Sequence, residues 1–158
     1  MKTIEMSNYS VGESCYNEIP GVCEKYNVKK VVLIGGKRAL AATEPRIREA
    51  IKETDIIITD SIVYGIECTM TNVHKLTSNS NVQEADVIFA IGGGKAIDTC
   101  KTASIEMNDK MVFSFPTICS NCSAATAIAV VYDDNGALDH YSYPHCPAPV
   151  SYTHLRAH

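Results

Sequence analysis

The stretch ADVIFAIGGGKAIDT, residues 85–99, decides the fold of this chain. An apolar run ends in three consecutive glycines, and residues typical of a helix follow at once. Glycine has no Cβ, so its backbone can make a tight turn and approach a bulky anion. The following helix directs its free N–H groups and the positive end of its dipole at the same point. The stretch therefore predicts a strand, a turn and a helix that together hold the diphosphate of a dinucleotide.

The spacing of these glycines leaves a second interpretation, a merely tight strand-to-helix turn. A P-loop needs a glycine five positions before the Gly-Lys pair and Ser or Thr after it, whereas Ala96 follows Lys95 here. The GxGxxG spacing is also absent. Lys95, at the start of the helix, is expected to contact phosphate, whereas Lys101, two turns further on, is expected on a solvated face. Asp98 also has a simpler role open to it, because a carboxylate in the first turn complements the helix dipole.

Composition excludes several classes of protein. The chain has 158 residues, enough for one domain with a core, and a net charge of −4, which gives no basic footprint for nucleic acid. No apolar run approaches the roughly 20 residues that cross a bilayer, and the N-terminus lacks the apolar segment of a signal peptide. Seven cysteines, an odd number, are therefore expected as reduced thiols. We expect a cytoplasmic protein with no membrane or nucleic-acid partner.

Strand-like and helix-like stretches alternate along the first three quarters of the chain. Pro45 fits only the first turn of a helix, so the first long helix is expected to start near Glu44. Asn135-Gly136 between apolar runs predicts a hairpin. The alternation predicts an α/β fold, a Rossmann-like parallel sheet with flanking helices plus a C-terminal β-hairpin. The expected strands are 31–34, 55–63, 87–91 and 111–115, the helices 44–53, 69–76 and 95–107, and the hairpin pairs 128–132 with 138–143.

Four stretches together resemble one protein family: GGGKAIDTCK (92–101), FPTICSN (115–121), AIAVVY (127–132) and YGIEC (64–68). They are similar to motifs in the N-terminal half of the iron-containing (group III) alcohol dehydrogenases, and most of all in the glycerol dehydrogenase branch. The resemblance covers about residues 10–150. It implies an NAD(P)-binding domain over residues 1–150 of an enzyme that transfers hydride between nicotinamide and a small alcohol or ketone. It also implies a homo-oligomer for the full-length protein.

The same resemblance implies roles for individual residues. The cofactor-binding set around the diphosphate is Gly92, Gly93, Gly94, Lys95 and Asp98, with Thr117 and Ser120 on the other side. Towards the nicotinamide ribose the set is Thr126, Ile128 and Tyr132, and the substrate contact is Cys122. No catalytic residue and no metal ligand is expected on this chain.

Two positions depart from the pattern of glycerol dehydrogenases. They usually carry an Asp where Cys122 stands, and a thiol is a weaker acceptor for a polyol. This loop also resembles that of the hydroxycarboxylate (2-oxoacid) dehydrogenases, which remain an alternative. The acidic residue that often follows the first strand is replaced by Gly35-Gly36-Lys37. Without that carboxylate a 2′-phosphate is not repelled, so NAD and NADP both remain open.

The end of the chain departs from the family more strongly. The family holds a divalent metal, Zn or Fe, in a C-terminal helical domain, through an Asp and His residues that would come after this chain. Residues 151–158 look like a non-native tail and are left out of the fold assignment, so His154 and His158 are not taken as ligands. We expect this chain by itself to be inactive, since it would lack the metal.

The Cys119-x-x-Cys122 pair suggests two further interpretations. A thioredoxin-type pair would open a helix after a strand. A zinc site would need a second pair, for which His145-Cys146 is the neighbouring candidate. The plainest interpretation is two small thiols in a loop. A nucleotide-binding or redox module without dehydrogenase activity remains the alternative class.

Overall fold

The computed structural model describes residues 8–144 and 150–153, and in them the main sheet has six parallel strands. Its order is β1-β8-β5-β4-β2-β3, and β6 and β7 form a separate antiparallel pair. The predicted α/β fold with a parallel sheet and a hairpin is therefore confirmed. The strands are β1 Asn8–Val11, β2 Lys30–Gly35, β3 Ile57–Val63, β4 Val87–Gly92, β5 Met111–Pro116, β6 Ala129–Tyr132, β7 Leu138–Ser142 and β8 Val150–Thr153.

Helices cover both faces of the sheet. Along β4, Phe89 and Ile91 belong to the core beneath α1 and α2, whereas Ile88 and Ala90 belong to the core beneath α3, α4 and α5. Because both faces are buried, the strand is apolar throughout instead of alternating. None of the described helices is long and apolar enough to cross a membrane. The helices are α1 Ile19–Lys25, α2 Lys37–Ile51, α3 Met70–Thr77, α4 Ser80–Glu84 and α5 Gly94–Glu106, with 3-10 turns at Cys15–Glu18 and Ser123–Ala125.

The strand order changes direction between β2 and β4. The chain leaves β2 through α2 to reach β3 on one side, and returns through α3 and α4 to β4 on the other side of β2. At such a switch point the two loops at the carboxyl ends of the strands separate to opposite faces and leave a crevice, where open α/β sheets bind ligands. The glycines after β2 and β4 both lie at this point.

Helix α2 starts earlier than expected. It begins at Lys37, and Pro45 lies inside it, so the expected start near Glu44 is wrong. A proline in a helix removes the hydrogen bond to the carbonyl four residues earlier. Here both Pro45 and Ala41 are exposed, so solvent can satisfy that carbonyl. The buried face, with Leu40, Thr43 and Ile47, holds the helix to the sheet.

Residues 151–153, which the sequence analysis assigned to a non-native tail, form the last described strand together with Val150, and whether the tail is native stays untested. Strand β8 lies between β1 and β5, with Val150 in register with both Asn8 and Phe113. Parallel pairing uses backbone groups and accepts most side chains, so the residue types gave no signal for it. Residues 154–158 lie outside the described residues, and the boundary of the cofactor domain at residue 150 stays a prediction.

Candidate functional site

Two glycine turns meet at the switch point. Gly92 has φ +144°, which favours glycine, and a Cβ on it would lie 3.0 Å from the Ala96 Cβ and 3.8 Å from the Gly36 nitrogen. A Cβ on Gly35 would lie 2.3 Å from the carbonyl oxygen of Ile91. A side chain at Gly35 would therefore push β2 and β4 apart, whereas one at Gly92 would crowd the first turn of α5. Strand β4 ends at Gly92 and α5 begins at Gly94, as the sequence predicts.

Both helices that begin at this crevice have uncapped N-termini. Among the described residues, no side chain caps α2 after Gly36 or α5 after Gly93. In contrast, the side chain of Thr69 caps α3 and that of Asn79 caps α4. The first-turn N–H groups of α2 and α5 and the positive ends of both dipoles are thus available to an anion at the crevice.

The loop after β5, residues 117–128, forms the other side of the turn. The Thr117 N–H donates to the Gly92 carbonyl over 3.0 Å. A Cβ on Gly93 would lie 2.8 Å from Ile118 Cδ1, and one on Gly94 would lie 3.2 Å from Asn121 Nδ2. The structure thus places Thr117 beside the glycines. Ser120 and Cys122 lie exposed on the same loop. The contacts of Ile118 and Asn121 with the glycines were not predicted, because neither residue carries a charge that would mark a site.

Lys95 lies at the start of α5 with its ammonium group on Glu67. The Nζ–Oε2 distance is 2.5 Å, and this hydrogen bond and the charge of Glu67 raise the pKa of Lys95. Glu67 comes from the loop after β3 and is only partly exposed, whereas Lys95 is more than half exposed. The expected contact of Lys95 with phosphate stays a prediction. Glu67 would compete with a phosphate for Lys95, and the sequence alone did not indicate this ion pair.

Asp98 does not face the crevice with a free carboxylate. Its Oδ1 accepts from the Ser123 hydroxyl, and its Oδ2 accepts from the Val130 N–H over 3.0 Å. The predicted contact of Asp98 with the diphosphate stays a prediction. A buried carboxylate would repel a diphosphate, whereas here it ties the 3-10 turn and β6 to α5. The sequence showed the carboxylate but not these partners, which lie 25 and 32 residues further on.

Lys101 is buried, so the expected solvated position is wrong. Its side chain is 2% exposed, and Nζ donates to the carbonyls of Thr126 over 3.0 Å and Ile128 over 2.6 Å. Asp98 Oδ1 lies 3.5 Å from the same nitrogen. Burial lowers the pKa of Lys101, and the charge of Asp98 opposes that shift. Helix α5 is covered by β6 and the preceding loop, which explains its buried polar residues, Thr99, Thr102 and Ser104 among them.

The predicted nicotinamide-ribose residues lie along this covered side of α5. Thr126, Ile128 and Tyr132 are each partly buried. The Tyr132 N–H donates to the Cys68 carbonyl over 2.8 Å, which fixes the end of β6 to the loop after β3. The structure thus brings these residues to one end of the sheet, and their contact with a cofactor stays a prediction.

A cleft of about 1060 Å³ opens beside the glycine turns. It lies between the N-terminal half of α2 and the loops that follow β3 and β5. Lys37 was considered from the sequence in connection with NADP, whereas the neighbouring Arg38 was not. The lining residues are Gly36, Lys37, Arg38, Ala39, Ala42, Thr43, Ile66 and Thr117.

The described residues give little support to a thioredoxin-type cysteine pair or to a zinc site. Cys119 and Cys122 are exposed and precede a three-residue 3-10 turn, not the helix that a thioredoxin-type pair requires. No group of three or more His, Cys, Asp or Glu residues that could hold a metal ion occurs in residues 8–144 and 150–153. His145, Cys146, His154 and His158 lie outside the described residues.

These features define a class of protein, a Rossmann-like α/β domain with a glycine crevice at the switch point of a parallel sheet. The family model for the iron-containing alcohol dehydrogenases matches residues 7–150. The chain therefore belongs to the iron-containing alcohol dehydrogenase family.

Curated relatives and solved structures agree with this family. The chain is 26% identical over 110 residues to a glycerol dehydrogenase of Escherichia coli, covering 70% of this chain and 29% of the relative. It is 27% identical over 135 residues to hydroxycarboxylate dehydrogenase A of Escherichia coli, covering 85% and 36%. The structure of glycerol dehydrogenase from Schizosaccharomyces pombe superposes with a TM-score of 0.81 at 20% identity, covering 98% of this chain and 39% of that one. The chain thus spans roughly a third of the length of these relatives.

Proposed function

We propose that this chain binds the nicotinamide dinucleotide of a metal-dependent alcohol or polyol dehydrogenase, similar to the glycerol dehydrogenases. The observation that carries the proposal is the glycine crevice between β2 and β4, flanked by the uncapped N-termini of α2 and α5. A diphosphate suits such a place, since two helix dipoles and free N–H groups converge there. Membership of the family makes a dinucleotide the first candidate for the ligand.

The residues around the crevice suit the parts of such a cofactor. The backbone N–H groups after Gly93 and Gly94 would donate to the diphosphate, with Thr117 and Ser120 on the other side. Glycine at positions 93 and 94 lets this turn lie close to the loop after β5, because a Cβ at Gly93 would meet Ile118 and one at Gly94 would approach Asn121. Lys95 would leave Glu67 and bind a phosphate oxygen instead. This exchange costs little, because the ion pair with Glu67 is exposed to solvent and therefore weak.

A second group of residues acts on the nicotinamide end. Asp98 and Lys101 are positioning residues, because they fix the backbone of residues 123–130 through buried hydrogen bonds. This fixed segment would orient Thr126, Ile128 and Tyr132 towards the ribose. The bound nicotinamide supplies the hydride acceptor or donor. A divalent metal, held by residues outside the described part of the chain, would polarise the substrate oxygen.

Fluorescence of the reduced nicotinamide tests the cofactor proposal. The chain has no Trp, so indole emission does not interfere with the nicotinamide signal. Titration of the chain with NADH and NADPH is expected to enhance that signal to a one-to-one end point, with no alcohol oxidation by the chain alone. No binding of either dinucleotide, together with rapid reaction of Cys119 with a disulfide reagent at neutral pH, would instead support the redox module.

A 2-oxoacid substrate is the second candidate, on one specific observation. Cys122 takes the place of the Asp that glycerol dehydrogenases usually carry, and hydroxycarboxylate dehydrogenase A is among the relatives that match over 85% of the chain. A carboxylate beside the substrate would repel a 2-oxoacid, whereas a neutral thiol would not. In a full-length enzyme carrying this chain, Cys122→Asp is expected to favour glycerol over 2-oxobutyrate, with Cys122→Asn as the uncharged control. Equal effects of the two variants would contradict a charge-based choice.

A further inference from the structure

The cleft beside α2 carries positive charge in a protein that is acidic overall. Lys37 and Arg38 line it, and none of its eight lining residues is acidic. Neither of the two makes an ion pair among the described residues, whereas six other lysines and arginines do. Two cations in one cleft, with no carboxylate paired to them, favour an anionic ligand. The contrast with the rest of the chain, whose net charge is −4, strengthens this argument.

The position of these cations relates them to one part of a dinucleotide. Strand β2 is the neighbour of β4, and the two glycine turns nearly touch. In dinucleotide-binding sheets, the residue after the strand next to the phosphate-binding turn meets the adenosine ribose. An acidic residue there binds the 2′-hydroxyl of NAD, whereas a cation accommodates the 2′-phosphate of NADP. This chain has Gly36 there, with Lys37 and Arg38 directly after it.

We infer that this cleft binds the 2′-phosphate of NADP(H), with Lys37 and Arg38 as its ligands, so that the chain prefers NADP(H) to NAD(H). The inference rests on the proposed binding of a dinucleotide at the glycine crevice. A phosphate monoester carries close to two negative charges at neutral pH. The Arg38 guanidinium offers it paired N–H donors, and Lys37 offers a compact charge. The first turn of α2, which no side chain caps, lines the same cleft.

Gly36 allows the preference to be reversed without disturbing the fold. A Cβ at Gly36 meets no atom within 4 Å, and its backbone angles of −76° and 150° suit any residue. Asp and Asn are both favourable N-cap residues, so either is expected to be tolerated at the start of α2. Gly36→Asp places a carboxylate where the 2′-hydroxyl of NAD would lie, and Gly36→Asn adds nearly the same shape without the charge.

Titration with NADPH and NADH, followed by nicotinamide fluorescence, tests the inference. The parent chain is expected to bind NADPH at least about tenfold more tightly than NADH, since a charge-assisted contact separates the two. Gly36→Asp is expected to reverse that ratio, and Gly36→Asn to keep it. Lys37→Gln combined with Arg38→Gln is expected to reduce the ratio about tenfold, whereas Lys75→Gln, at an exposed lysine on α3, is expected to keep it. Adenosine 2′,5′-bisphosphate is expected to compete better than 5′-AMP.

The outcomes separate this inference from the proposed function. If NADH binds as tightly as NADPH, or if Gly36→Asp and Gly36→Asn give the same ratio, the inference is wrong while dinucleotide binding stands. If neither dinucleotide binds, the proposed function and the inference are both wrong.

Discussion

At the scale of single residues, two adjacent glycines after β2 have opposite requirements. Gly35 is buried, and a Cβ on it would lie 2.3 Å from the Ile91 carbonyl oxygen and 3.0 Å from the Ile91 Cβ. Gly36 has open space around its Cβ position. Gly35 therefore keeps β2 close to β4, whereas the absence of a side chain at Gly36 leaves room for a ligand.

Gly35→Ala tests this difference. We expect it to reduce the free energy of unfolding by about 3 kcal/mol, because the backbone of β4 must move to make room. Gly36→Ala, the matched control, is expected to stay within about 1 kcal/mol of the parent. Urea denaturation of both variants measures the effect. Equal stability of the two would contradict the close approach of β2 and β4 at this point.

A second prediction concerns the ion pair of Lys95 and Glu67 beside the diphosphate position. Glu67→Gln removes a negative charge and frees Lys95, so we expect several-fold tighter binding of the reduced dinucleotide. Lys95→Met is expected to weaken binding, and Glu53→Gln, at an exposed carboxylate after α2, to leave it unchanged. Calorimetric titration at low salt measures all three. Weaker binding by Glu67→Gln would mean that the pair itself holds the site together.

At the scale of elements, α5 is held by one buried cation and one buried carboxylate. Lys101 donates to two carbonyls of the following loop, and Asp98 accepts from Ser123 and Val130. These bonds add to the apolar packing that already holds the buried face of α5 in the core. They also explain why the loop and β6 cover α5 with few large side chains.

Lys101→Met tests this role. We expect the free energy of unfolding to fall by about 3–5 kcal/mol, because Asp98 loses its cation and two carbonyls lose their donor inside the protein. Lys75→Met, at an exposed lysine, is expected to change stability by less than about 0.5 kcal/mol. The loop of residues 117–128 should also become easier to cleave by protease in Lys101→Met. If Lys101→Met lowers the free energy of unfolding no more than Lys75→Met does, the loop does not depend on the hydrogen bonds of Lys101.

The contact of α2 with β3 predicts a pH dependence. The Ser61 hydroxyl donates to Glu44 over 2.7 Å and, with Arg48, holds the pKa of Glu44 below its ordinary value of 4.5. A carboxyl whose pKa is lower in the folded state stabilises the fold above the unfolded pKa, and the effect is lost as the pH falls through the folded pKa. Ser61→Ala is thus expected to cost about 1 kcal/mol at pH 7 and less as the pH falls below 4.5.

Urea denaturation across that pH range measures the effect of Ser61→Ala. Thr54→Ala is the control, because it removes a hydroxyl bond to the neutral Ile51 carbonyl, so its cost should be independent of pH. A cost of Ser61→Ala that does not change with pH would contradict the role of the Glu44 charge.

Much of this element structure was predictable, because its signals are local. The apolar run and glycines of 87–94 and the Asn135-Gly136 turn each determine a shape within a few residues. The partners of Lys101 and Asp98 were not predictable, because they are 25 to 32 residues away and no local pattern shows which loop will cover a helix. The start of α2 was predicted wrongly because Pro45 is tolerated inside the helix only where it is exposed. Exposure is a property of the folded molecule and cannot be read from the local sequence.

At the scale of the whole molecule, the topology turns these local features into one site. The reversal of strand order sets α2 and α5 on opposite faces with their N-termini at one crevice. The glycine turns, the cationic cleft and the loop after β5 all surround it. The chain spans roughly a third of the length of its relatives, and all of these features lie in the part that it covers.

Calorimetric titration of the chain with NADPH and NADH, compared with the same titration of Gly94→Val, tests the central claim most directly. Gly21→Val, which places the same side chain in open space on α1, is the control for folding, and circular dichroism checks both variants. We predict one site per parent chain, unchanged binding in Gly21→Val, and at least about a hundredfold loss in Gly94→Val, because a branched side chain would occupy the diphosphate position. Binding of equal strength in the parent chain and in folded Gly94→Val would contradict the assignment of the glycine crevice as the cofactor site.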